Sequence, residues 1–176
     1  MLTFEKKYYI IVYILPFYNN YHLEVFMNED KKAARREARE SVFCLMYETE
    51  FHPENTPEEI FDRAVLNRDI DPDNEYIRRV YFGAMEMLEC VDSIIARHAK
   101  GWRTGRLSRV SRAILRLCVY EMGYMKDIPN SVAINEAVEL SKKYGEPKAK
   151  AFINGVLNAV KDELDGKAPA DSANDD

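Results

Sequence analysis

Arg35, Arg36 and Arg39 stand at spacings of one, three and four residues, with Lys31 and Lys32 one helical turn earlier and Glu37 as the only acid among them. On a helix this spacing puts Arg35 and Arg39 on one face with Arg36 beside it. Guanidinium forks hold phosphate bidentately and stack on unpaired bases. That chemistry suits single-stranded RNA better than a duplex whose deep groove admits no side chain. The same pattern also describes a solvated helix face on which Glu37 and Glu40 pair with neighbouring cations. Spacing alone leaves both readings open.

A second basic run covers Arg97, Lys100, Arg103, Arg106, Arg109, Arg112 and Arg116 with no acid in it. Trp102 beside it reads either as a stacking platform or as a core anchor. Arg116, set between Leu115 and Leu117, reads as a structural pairing residue. The formal net charge of −5 argues against a polyanionic partner when taken alone. The acids, however, gather elsewhere, in part after Val160 at Asp162, Glu163, Asp165, Asp171, Asp175 and Asp176. Local charge is therefore the informative quantity.

Other chemistry finds little support. Neither G-x-x-x-x-G-K-[ST] nor G-x-G-x-x-G occurs. His22, His52 and His98 have no metal-ligand spacing to one another or to the cysteines, and none sits in a segment resembling a nucleophile–base pair. Glu58 with Glu59, and Glu136 with Glu139, fall on expected helix surfaces or capping positions. No enzyme activity, cofactor or metal is expected. Cys44, Cys90 and Cys118 are odd in number, far apart and set among apolar residues, which predicts reduced thiols in the core of a cytoplasmic protein.

These residues have to be positioned by helices. Residues 1–27 differ from the rest: the aromatic and β-branched stretch from Tyr8 to Leu15 is too short to span a bilayer and lacks a signal-peptide cleavage site. Met27 looks like a natural start, so the segment is expected to be a leader or poorly ordered extension, with a membrane-touching segment as the rival reading. From residue 28 the apolar spacing predicts one helix after another, as an all-α domain over 28–164. Asn28 or Asp30 would cap the first. Thr56-Pro57-Glu58-Glu59 would open the second as a capping box. Asp71-Pro72 would launch a long tract with Gly83 as a kink or break, and Ser108 would cap the helix carrying Val110, Ala113, Ile114, Leu117 and Cys118 inward. A further helix over about 131–144 would stop at Gly145 in a left-handed conformation. The last would start near Pro147 and carry Ala151, Phe152, Val156, Leu157 and Val160 inward. Residues 165–176 read as a disordered acidic tail.

Four stretches in order carry a family resemblance: Ala33 to Glu40, Leu107 to Met122, Ile128-Pro129 with Val132 to Leu140, and Phe152-Ile153-Asn154-Gly155-Val156-Leu157. Together they resemble the NusB family of transcription antitermination proteins. The resemblance implies about seven helices in two packed bundles. It also implies a factor that binds boxA RNA of ribosomal RNA leader transcripts together with NusE, a small-subunit ribosomal protein, and joins the elongating RNA polymerase complex. Arg35, Arg36 and Arg39, with Lys32 beside them, fall on the family's arginine-rich RNA-binding motif. Tyr47 and Ser111 match positions associated with contact to NusE or RNA. Asn135, Glu136, Asn154 and Gly155 belong to the signature and are read as structural, Gly155 as a point of close helix packing. Glu37 interrupts the arginine run, and Pro147-Lys148 departs from the pattern at a helix start. A helical protein-interaction module without an RNA role, and an isolated RNA-binding domain like that of ribosomal RNA cytosine methyltransferases, are the alternatives. A homodimer that covers the arginine face stays open.

Overall fold

The computed structural model describes residues 20–68, 70–99 and 107–167, with side chains from residue 29 onward. Seven helices follow in order: α1 (Asn20–Thr49), α2 (Pro57–Arg68), α3 (Glu75–Glu86), α4 (Leu88–His98), α5 (Arg109–Tyr124), α6 (Asn130–Tyr144) and α7 (Ala149–Leu164). The described residues contain no strand, as the helical periodicity predicts. The expectations for the Tyr8 to Leu15 stretch, Trp102 and the end of the acidic tail lie outside the described residues.

Packing divides the chain into two units, Met1–Glu37 and Ala38–Asp176. In the first, the described residues are helical, and every residue from Glu29 to Glu37 is exposed. In the second, one connected apolar cluster runs from Ala38 to Val160. Helix α5 packs against α3, α4, α6 and α7. Ile114, Leu115 and Val119 are fully buried, and so is Glu121. A helix enclosed on several sides carries apolar residues around most of its circumference, and Ala113 to Tyr120 has that composition.

Side-chain caps mark the starts of α2, α3 and α5, and not every helix starts where its local signal stands. Thr56 and Glu59 form the expected reciprocal box: the Thr56 N–H donates to Glu59 Oε2 at 2.9 Å, and the Glu59 N–H donates to Thr56 Oγ1 at 3.2 Å. Ser108 caps α5 by accepting from the Ser111 N–H. Helix α1, by contrast, does not begin at Asn28 or Asp30 but at Asn20. No Gly or Pro lies between Asn20 and Thr49, so nothing in the sequence stops the helix sooner. Asp71-Pro72 does not launch α3. Asp71 closes a turn by accepting from the Asp73 N–H, and the cap is Asn74, which accepts from the Ile77 N–H. The long tract breaks at Met87, not at Gly83. At Gly83 a Cβ would lie 2.0 Å from Tyr120 Oη, so the glycine admits the tyrosine of α5 against α3.

Two other glycines act differently from expectation. Gly145 ends α6 with φ −90°, extended rather than left-handed. A Cβ there would meet the Ser141 carbonyl oxygen at 2.6 Å, so close approach is what it serves. Gly155 faces open space, because the buried positions of α7 are Ile153, Val156, Leu157 and Val160, on the opposite side. Ala151, Asn154 and Asn135 are likewise exposed, so neither asparagine fills an interhelical corner. Helix α7 starts at Ala149, two residues after Pro147. The cysteines also divide: Cys118 is buried, Cys44 half-buried and Cys90 exposed, since Cys90 sits on the outer face of α4 while Val91 and Ile95 point inward. No helix among the described residues is long and apolar enough to cross a membrane.

Candidate nucleic-acid interface

The basic residues near the start of the described chain do not share one fate. Lys31, Lys32, Arg35 and Arg36 are all exposed on α1. Arg39, four residues after Arg35, is 3% exposed. Its Nε lies 3.1 and 3.2 Å from the two carboxylate oxygens of Glu121, and its Nη2 donates to Oε1 at 2.8 Å. Tyr76 on α3 donates its hydroxyl to the same Oε1 at 2.6 Å. Glu136 on α6 approaches Arg39 Nη1 at 3.6 Å, and the Tyr76 ring centroid lies 5.7 Å from Cζ. Burial works against the charged guanidinium, but the hydrogen bond and charge of Glu121, with Tyr76 and Glu136, outweigh it and raise the Arg39 pKa.

The expected comb of three arginines is therefore corrected at Arg39, which turns inward. The physical reason is the neighbourhood: Ala38 and Val42 on the same side are buried, and a fully buried carboxylate awaits there. Glu121 is the residue that the motif alone does not reveal, although its position carries a signal. It stands four residues after Leu117 and three after Cys118, so it falls in the apolar stripe of α5, where a lone acid needs a partner. Glu136 is likewise not a free surface acid but faces Arg39.

The remainder of α1 is clamped at its far end. Glu48 pairs with Arg63 at 3.0 Å and with Arg68 on α2. Glu50 pairs with Arg112 at 2.6 Å and with Arg116 on α5. Arg116 also grips Asp92 of α4 with two bonds of 2.8 Å, as its expected structural role requires. Thr49 Oγ1 and the Tyr81 hydroxyl lie 2.9 Å apart, and burial pushes the Tyr81 phenol up to about 12. On the other flank Glu40 bonds to Lys143 at 2.6 Å and to the Tyr144 hydroxyl. The hydrogen bond from Lys143, then that from Tyr144, holds the Glu40 carboxyl below its ordinary value.

Of the two positions matched to partner contact, Tyr47 is half-buried in a row of rings, 6.1 Å from Phe43 and 5.0 Å from the exposed Phe51. Arg109 lies over the Phe51 ring at 4.1 Å. Ser111 is 4% exposed and accepts a 3.0 Å bond from the Ser108 hydroxyl inside the first turn of α5. Arg103 and Arg106 lie outside the described residues. Among the described residues no group of three His, Cys, Asp or Glu side chains could hold a metal ion.

What the arrangement offers is an exposed cationic stretch on a helix whose next turn is fixed by a buried ion pair. The chain that carries it is similar to known proteins over most of its length. The family model of the NusB family matches residues 36–162. The transcription antitermination protein NusB of Bacillus pumilus is 39% identical over 130 residues, covering 74% of this chain and 96% of that protein. The solved structure of T. maritima NusB is similar at 37% identity with a TM-score of 0.67, over 73% of this chain and 91% of that one. A crystal structure of the antitermination factors NusB and NusE in complex with dsRNA is similar at 31% identity and a TM-score of 0.65, over 73% of this chain and 96% of the matched chain. With the family model, a curated relative and two solved folds in agreement, the chain belongs to the NusB family.

Proposed function

We propose that this protein is a transcription antitermination factor that binds boxA RNA of ribosomal RNA leaders through the exposed cations of α1, in company with NusE. The observation that carries this reading is the exposure of Lys32, Arg35 and Arg36 on one helix. Phosphate binding needs cations that water can leave and a polyanion can reach, and bidentate arginine adds geometric selectivity over lysine. Relatives named as antitermination proteins support the class of function, and the solved complex of NusB and NusE with RNA supports the partners. Delivery to the elongating RNA polymerase complex is the step that would make RNA capture oppose termination. Tyr47, half-buried between the buried Phe43 and the exposed Phe51, is the position of this chain proposed for contact with the protein partner. Ser111, enclosed in the first turn of α5, would support that surface from within.

The test is a fluorescence titration of boxA-containing RNA, with and without NusE, at two salt concentrations. Preference over a scrambled RNA, tighter binding with NusE and weakening at higher salt are expected. Equal affinity for the scrambled RNA in the presence of NusE would sink the antitermination reading in favour of a helical interaction module.

A further inference from the structure

We propose that Arg39 serves RNA binding as a positioning residue, acting through Glu121 and Tyr76, and not as a phosphate ligand. The inference rests on the RNA-binding reading above and divides its arginine motif into two kinds of residue. A guanidinium that is 3% exposed, spans the Glu121 carboxylate with Nε and Nη2 and turns Nη1 toward Glu136 presents no accessible fork to a phosphate. Releasing it would strand Glu121, which is 0% exposed, as an unpaired charge inside the apolar cluster.

The geometry points to a different use. Ala38, Val42, Leu45 and Met46 bury the same side of α1 with contacts that are non-directional and tolerate small rotations. The fork on Glu121 is directional. It sets the rotation and axial position of α1 at Arg39, and Tyr76, donating at 2.6 Å, fixes the carboxylate that receives it. Arg36, Arg35 and Lys32 stand three, four and seven residues earlier on the same helix. A helix rotates about 100° and rises about 1.5 Å per residue, so an error at Arg39 is carried directly to the cations before it.

Three single variants of the full chain separate the roles, read by anisotropy with boxA RNA across a salt series and by circular dichroism. Arg39→Lys keeps the positive charge but loses the planar fork. Glu121→Gln removes a negative charge, which for a simple electrostatic surface strengthens binding to a polyanion. Tyr76→Phe removes only the hydroxyl. Positioning predicts that all three bind boxA RNA more weakly, by between about two- and thirtyfold, with the slope of log K against log salt unchanged. The proposal is overturned if Arg39→Lys binds like the unaltered chain while Glu121→Gln binds as well or better. It is also overturned if the variants lose thermal stability but keep full RNA affinity at a temperature where they are folded. Should Glu121→Gln fail to give the helical spectrum, Arg39→Lys and Tyr76→Phe decide the matter by the same two measurements. An unaltered chain that does not prefer boxA to scrambled RNA refutes the functional reading itself, and this proposal with it.

Discussion

The cations of α1 before Ala38 and those of α5 recur at helical spacing in much the same way, yet they end in different environments. Lys31, Lys32, Arg35 and Arg36 are exposed. Arg112 and Arg116 are drawn to Glu50 and Asp92, and Arg109 lies on Phe51. The α5 stripe is met by acids from distant parts of the chain: Glu50 is 66 residues from Arg116 in sequence and Asp92 is 24. An arginine stripe that stays exposed is open to a polyanion, whereas one enclosed with acids from other helices becomes a strut. Arg39 and Arg35 differ in exposure within a single turn of helix.

The largest effect should come from breaking a strut. Arg116→Met leaves Glu50 and Asp92 without their shared cation in a partly buried place, and should cost about 2–3 kcal/mol, a fall in Tm of roughly 5–10 °C. Calorimetry would measure it, and RNA affinity at a temperature where the variant is folded should be unchanged. A loss of affinity with normal stability would move α5 into the binding surface.

Next is the exposed stripe itself. Arg35→Ala with Arg36→Ala should leave the melting curve within about 0.5 kcal/mol of the unaltered chain. RNA binding should weaken and the salt slope should fall by about 1.4, the value for two lost contacts to a single strand. A destabilised fold with an unchanged slope would reverse the assignment of the two stripes.

Arg109 stands between the two stripes in character, exposed yet stacked on Phe51, and Arg109→Ala tests it. Loss of the cation over Phe51 should cost no more than about 1 kcal/mol and leave the salt slope alone. A reduced slope would extend the RNA surface onto α5.

The smallest effect concerns Arg97, an exposed arginine that is nevertheless engaged. Its hydrogen bond, with that of His98, holds the Glu163 carboxyl at about 2, below its ordinary 4.5. A depressed acid stabilises the fold above its ordinary value and stops doing so as pH falls through the shifted one, so this link between α4 and α7 should fade between about pH 4.5 and 2. Glu163→Gln should abolish that part of the pH dependence, seen as a smaller difference from the unaltered chain at pH 3 than at pH 7 in thermal melts.

Much of the fold is legible in the residues. The 3.6-residue spacing of Ile114, Leu117 and Cys118 or of Ile60, Phe61 and Ala64 marks helices because burial on one face is a local, periodic demand. The Thr56–Glu59 box is readable for the same reason, being closed within one turn. The start of α1 is not, because a good cap residue is no stop signal when helix formers precede it. Gly83, Gly145 and Gly155 look alike as letters and differ in what approaches them, which depends on Tyr120, on Ser141 with Ala149, and on nothing at all.

Periodicity, capping and charge are properties of neighbours along the chain, so the helical class, the positions of most of the described helices and the concentration of arginine on two of them can be read in one dimension. Which arginines stay exposed and which are enclosed depends instead on where Glu121, Glu50 and Asp92 come to lie in space. A buried carboxylate selects its guanidinium by proximity in space, and residues 82 positions apart, Arg39 and Glu121, carry no mark in either segment that names the other.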